Sequence, residues 1–309
     1  MNANEISSLR NFNPSISTQY PMEFDPATAT LWSFLAPEGN PCFSPSLLHD
    51  IRAQDSLLEQ QKGFVLHGGH AYRAHFYVIA SRVKGVFNLG GDLALFQALI
   101  RMKDRPTLFN YARACVDCIY PRVRNHFVRD LTTISLVQGD ALGGGFETAL
   151  ASDVLIAEEH ATLGLPEILF NLFPGMGAYS LLGRRIGMKA AEDMILSGRL
   201  FKAAELHARG VVDLVVPQGV GVAATKQWIA QNRRRRNGMN AVHAARQEIQ
   251  PITRDEMDRI VELWVDAAMN LEERDLKMMK RLVAAQARRN GLESGAPSIL
   301  QTESNKVAA

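Results

Sequence analysis

Three cysteines in 309 residues, Cys42, Cys115 and Cys118, are too few and too odd in number for a disulfide framework, and this fits a reducing compartment. No stretch approaches the roughly 18 uninterrupted apolar residues that a membrane-spanning helix needs. The start, MNANEISSLRNFNPS, lacks a basic-then-apolar signal segment. The expectation is a cytoplasmic protein without membrane insertion. Charge of one sign is also lacking: 34 Lys and Arg against 32 Asp and Glu leave a formal +2, too little for a nucleic-acid footprint. Arg122, Arg124 and Arg129 do lie close together, and Arg233 to Arg236 form a run, readable either as a solvated loop or as a docking patch for an acidic partner. Neither glycine-rich segment carries the lysine and hydroxyl of a phosphate loop or the GxGxxG spacing of a dinucleotide site. His67, His70 and His75 have no acidic or cysteine residues beside them, and the Cys115-x-x-Cys118 spacing falls inside LFNYARACVDCIY, a predicted helix interior without thioredoxin-like context. No metal and no redox cofactor is expected.

What is present is an ordinary globular composition, 47% hydrophobic and 21% charged. Residues 1–25 are polar with scattered prolines, and 291–309 are small and polar, so both segments are expected to be flexible. Between them, HFYVIAS from His75, TTISLVQG at 132–139 and DVLIAEE at 153–159 have the β-branched content of buried strands. Each is followed by glycine-containing or helical sequence. That alternation predicts an α/β core over 26–225, built on a mainly parallel sheet. A helical C-terminal domain is predicted over 226–290, where Thr253 and Glu256 form a potential capping box and Met257, Ile260, Val261, Trp264, Val265 and Ala268 recur on one face.

Two glycine-rich turns follow strands, Asn88-Leu89-Gly90-Gly91-Asp92 and Gly139 to Glu147. Three consecutive glycines entering a helix leave its first amides free to meet an oxygen that becomes negative, although a tight strand-to-helix turn explains a triplet as well. The residues nearby tip the balance. Glu147 sits about one turn into that helix, and Glu167 lies in the apolar loop LGLPEI. Two carboxyls beside an amide pocket form an acid/base pair.

The run GDALGGGFETALASDVLIAEEHATLGLPEILFNLFPGMGAYSLLGRRIG resembles the signature of the crotonase, or enoyl-CoA hydratase/isomerase, superfamily, and KAAEDMILSGRLFKAAELHARGVVDLVVP continues it. The resemblance covers about residues 75–217. It implies a crotonase-like ββα spiral core with a C-terminal helical domain that builds a homotrimer or hexamer. It makes Gly91 and Gly144 the two oxyanion-hole amide donors and Glu147 and Glu167 the catalytic glutamates, with no metal and no cofactor. Within the superfamily, FNLGGDLALF, MGAYSLL and PEGNPCFSPSLLHDIRAQDSLL are similar to the diffusible signal factor synthases. These dehydrate a 3-hydroxyacyl chain on acyl carrier protein to the cis-2-enoyl thioester and hydrolyse it, releasing a quorum-sensing fatty acid. The same similarity implies Leu142, Met176 and Trp264 as substrate-binding residues, with Phe170 and Gly143 as further candidates beside them, an acyl carrier protein or CoA thioester as substrate, and the receiver domain of a sensor histidine kinase as a further partner. Two rival expectations stand beside it: a β-oxidation enoyl-CoA hydratase and an acyl-binding or regulator-docking homologue.

Overall fold

The computed structural model describes residues 17–289. Its twelve strands are β1 (Met22–Asp25), β2 (Thr30–Leu35), β3 (Phe64–His67), β4 (His70–Arg73), β5 (Phe76–Ser81), β6 (Val86–Asn88), β7 (Thr132–Val137), β8 (Asp140–Leu142), β9 (Val154–Glu158), β10 (Thr162–Gly164), β11 (Leu200–Lys202) and β12 (Leu214–Val216). Six of them form one sheet in the order β1-β2-β5-β7-β9-β12, parallel except for the β1 edge. Every residue of β7 and β9 is buried, because helices and loops cover both faces and the strands carry continuous apolar runs. A second sheet of four strands runs β11-β10-β8-β6, and in it β6, β8 and β10 are parallel neighbours. The fold is the α/β class read from the sequence.

Some expected boundaries move. Tyr20 is 1% exposed and β1 lies on the sheet edge, so residues 17–25 belong to the folded body; a segment with one large aromatic and Met22 buried is held by them despite its polar composition. Residues 1–16 and the expected tail at 291–309 fall outside the described residues. The boundary at 225/226 falls inside the helix Gly221–Asn232, whose Ile229 packs on the six-stranded sheet. The helix Arg236–Ile249 follows, and then a pair of helices, Arg254–Met269 and Glu273–Arg289. Thr253 caps the first by accepting from the Glu256 amide at 3.1 Å. The reciprocal half of the capping box is not made, because the Glu256 carboxylate is taken by Arg184 at 2.8 Å and Ser180 at 2.5 Å. Met257, Val261, Trp264, Val265 and Ala268 are buried as the periodicity predicts, while Ile260 is only partly so.

The arginines are mostly structural. Arg122 is 3% exposed and donates to Ser152 and to the Ile134 carbonyl, so it forms no surface cluster with Arg124 and Arg129. Arg233 to Arg235 form a helical turn and Arg236 opens the helix Arg236–Ile249; Arg233 meets the Ala27 carbonyl and Arg236 that of Asp130. His67 and His70 face each other at the tip of the β3–β4 hairpin. No group of three or more His, Cys, Asp or Glu residues among the described residues is arranged to hold a metal ion. Among the same residues no helix is long and apolar enough to cross a membrane.

Candidate active site

Strands β6, β8 and β10 lie side by side and run the same way, so the loops that leave their C-terminal ends converge. This end of a parallel sheet is where open α/β folds gather ligand-binding groups. After β6 comes Leu89-Gly90-Gly91-Asp92; after β8, Gly143 and the helix Gly144–Leu150; after β10, Leu165-Pro166 and the single turn Glu167–Phe170. Three sequence-distant motifs are thereby brought to one place. The first two loops touch: a Cβ added to Gly90, whose φ is +94°, would meet the Leu142 carbonyl at 2.9 Å and the Gly144 nitrogen at 3.0 Å. Only glycine permits that approach.

The converging loops open into a cleft of about 680 Å³ including the solvent at its mouth. Gly91, Gly143, Gly144, Glu147, Glu167, Phe170, Met176 and Trp264 all line it. Leu142 does not: it lies in β8, 1% exposed, and meets the site through its carbonyl beside Gly90. Its expected place as a pocket wall is corrected accordingly. The sequence reading missed Leu93, Phe96, Tyr111, Ala112, Cys115, Leu172 and Leu282. Three of these had a signal: Tyr111, Ala112 and Cys115 recur with Leu108 at one-turn spacing on the helix Arg105–Val123, which periodicity identifies as a buried face without saying that part of it meets a cavity. Burial drives the Cys115 thiol well above its usual range, so it is a poor nucleophile.

Neither the Gly91 nor the Gly144 amide has an acceptor among the described residues. Gly144 is the first residue of its helix, where no intrahelical acceptor exists. Glu147, 1% exposed, accepts through Oε1 from the Met176 and Ala178 amides, each at 2.8 Å. Burial pushes its carboxyl up to about 7, with the two amides pulling the other way. Glu167 is partly exposed as a residue, but its Oε2 is buried without a partner. Burial, and then the neighbouring Glu147 charge, push it up to about 8. At neutral pH the environment favours one proton shared by the two carboxyls, and Glu147, with two donors, is the better anion.

The consequence is a narrow pH dependence. As the proposed acid/base pair, the two carboxyls progressively lose their base as pH falls below about 7 and their acid as it rises above about 8. The rate is expected to follow a bell centred between those values, and its two limbs belong to the pair as a unit. Steady-state rates from pH 5.5 to 9.5 check this; a plateau from pH 5.5 to 7 contradicts it.

Residues 72–291 match the enoyl-CoA hydratase/isomerase family model, and the chain belongs to that family, within the crotonase superfamily. It is 51% identical over 85 residues to a probable enoyl-CoA hydratase, echA8, of Mycobacterium tuberculosis, covering 28% of this chain and 33% of the relative. It is 30% identical over 168 residues to the glyoxysomal fatty acid beta-oxidation multifunctional protein MFP-a of Cucumis sativus, covering 54% of this chain and 22% of the relative. The matches thus span a third or less of these curated relatives. Solved structures share the fold: enoyl-CoA hydratase from Bacillus halodurans has a TM-score of 0.69 at 17% identity, over 85% of this chain and 99% of that one. DspI of Pseudomonas aeruginosa has a TM-score of 0.61 at 23% identity, over 80% and 96%.

Proposed function

We propose that the protein is a diffusible signal factor synthase: it dehydrates a 3-hydroxyacyl thioester, carried by acyl carrier protein, to the cis-2-enoyl thioester, then hydrolyses that thioester to release a cis-2-unsaturated fatty acid. The observation that carries the reading is the pair Glu147 and Glu167, both pushed up by burial, beside two unpaired amides at the head of an apolar cleft. In the dehydration one carboxylate takes the α proton, an enolate oxygen forms against the Gly91 and Gly144 amides, and the other carboxyl protonates the departing hydroxyl as water. In the hydrolysis a carboxylate takes a proton from water as its oxygen attacks the carbonyl carbon. The tetrahedral oxyanion occupies the same amides, and the thiol leaves with a proton. Both steps place negative charge on one oxygen, so one set of donors serves both.

The choice of this member of the superfamily rests on FNLGGDLALF, MGAYSLL and the 37–58 segment. In the fold that last segment supplies Phe43, whose amide donates to the Gly90 carbonyl at 2.8 Å. The relatives named as enoyl-CoA hydratases favour a second reading, reversible hydration of enoyl-CoA without release of acid.

Incubating the purified protein with 3-hydroxydodecanoyl acyl carrier protein, and separately with the CoA thioester, tests the choice by mass spectrometry. Free cis-2-dodecenoic acid is the expected product. Hydration equilibrium on CoA alone, with no free acid, selects the hydratase, and tight binding without turnover selects an acyl-binding protein.

A further inference from the structure

Gly91 is useful as a donor only if its amide is held open while its neighbours are tied down, and each peptide of its loop can be accounted for. The Leu89 amide donates to the Pro41 carbonyl at 2.8 Å and the Gly90 amide to Asn88 Oδ1 at 2.7 Å. The Gly90 carbonyl accepts from Phe43. On the far side of Gly91, the Asp92 amide donates to the Tyr111 hydroxyl at 3.0 Å, and that hydroxyl donates to the Phe43 carbonyl at 2.5 Å. A buried backbone amide ordinarily finds a partner. Here the side chains of Asn88 and Tyr111 occupy the amides on either side and leave the one between them free.

We infer that Tyr111 is a positioning residue for the oxyanion hole, its hydroxyl bridging the Phe43 carbonyl and the Asp92 amide so that the Gly91 N–H points into the cleft. The hydroxyl ties a third element, the segment before the helix Pro45–Gln60, to the loop that follows β6. The ring adds a second restraint. It lies edge-on to Phe96 at 5.2 Å between centroids, and Phe96 packs so closely under Gly91 that a Cβ there would come within 2.5 Å of its ring. Phe96 in turn meets Trp264 edge-on at 5.1 Å. Burial holds the phenol well above its usual range, so it stays neutral and keeps its donor at any working pH. Tyr111 lines the cleft, yet its hydroxyl is engaged by the two backbone groups and by the buried Cys115 thiol one turn along the same helix, and it acts through Gly91.

This inference rests on the proposed use of the Gly91 amide, and its test separates the two. Tyr111→Phe keeps the ring and removes the bridge together with the hydroxyl's contact to the Cys115 thiol; Cys115→Ala, which removes that contact and keeps the bridge, is the control and is expected to keep kcat. With the 3-hydroxyacyl thioester the expected result is a fall in kcat of about 10-fold to 100-fold with KM changed less than about threefold, because a misplaced donor is felt chiefly where charge develops. A readout free of turnover is the infrared carbonyl stretch of bound dodecanoyl-dethiacarba-CoA, a ketone analogue that cannot be hydrolysed. Wild type is expected to lower that frequency relative to solution, and Tyr111→Phe, with its fold verified by near-ultraviolet circular dichroism, is expected to lower it less. A role confined to stability would shift the melting temperature and leave both kcat and the bound carbonyl unchanged, and that result overturns the inference. An unshifted carbonyl in wild type also overturns it. A shifted carbonyl without any turnover of the hydroxyacyl thioester upholds the role of Tyr111 and removes the proposed reaction instead.

Discussion

Replacing Glu147 or Glu167 with alanine is expected to lower the rate of product formation by at least about 10³-fold in either variant, the range that loss of a positioned acid or base commonly costs. The two losses are expected to be far from additive, because each step needs one carboxyl charged and the other protonated, and removing either leaves the survivor without its partner. Their effects on stability should differ in kind. Glu147 receives two amides at 2.8 Å, so truncating it leaves the Met176 and Ala178 N–H groups unpaired in the interior. Glu167 has a buried Oε2 without a partner, so its removal relieves a desolvation cost. Linkage has the same sign at both: a carboxyl raised to about 7 or about 8 keeps its proton in the folded state while the unfolded chain releases it, so each destabilises as pH rises from the ordinary carboxylate range towards its folded value, but only at Glu147 do two stranded amides offset the relief that truncation brings. Glu167→Ala should therefore melt closer to or above wild type at pH 8, and Glu147→Ala below it. Product assays and thermal melts of both variants check this; either variant retaining a tenth of wild-type activity would contradict it.

Gly143→Ala is expected to reduce the rate by about 10²-fold or more while the chain still folds. Gly143 has φ +53° and ψ −126°, a conformation that costs an alanine on the order of 1–3 kcal/mol. The added methyl would also collide with Glu167 Oε1. A side-chain end can move, and here movement displaces a carboxyl of the proposed acid/base pair, where about 1 Å matters. Gly187→Ala is the matched control. Its φ is +87° with nothing within 4 Å of the added methyl, so it should lose stability of similar size and keep its activity. Equal losses of activity in the two variants would mean that backbone strain alone, and not the approach to Glu167, is responsible.

The parts of this site legible in the sequence were those written as local chemistry. Glycine at 143 to 145 and a glutamate one turn later announce free amides and a carboxyl without any knowledge of the fold, and the continuous apolar runs of β5, β7 and β9 announce a buried parallel sheet. The capping role of Thr253 was local too. What the sequence could not show was long-range register. That β6, β8 and β10 are neighbours, and so that residues 91, 144 and 167 meet, is fixed by strand pairing between residues 22 and 53 to 54 positions apart. The Tyr111 bridge spans 68 residues to Phe43 and 19 to Asp92, and on the helix it reads only as one more apolar-face position. The strands β1 and β2 were passed over because polar residues around them masked a short pattern held by Tyr20 and Leu31, both buried. Leu142 misled in the opposite way: it sits in the motif, but the strand carries its side chain into the interior while its backbone serves the site.

The claim on which the rest depends is that Glu147 and Glu167 form one acid/base pair in a desolvated pocket, and carbon-13 NMR titration of protein labelled at the glutamate carboxyls tests it most directly. Two carboxyl resonances are expected to titrate together between about 7 and about 8, one of which vanishes in each of Glu147→Gln and Glu167→Gln, with the survivor in Glu147→Gln shifted downward once the neighbouring charge is gone. Two resonances titrating independently in the ordinary carboxylate range, near 4 to 5, would contradict it.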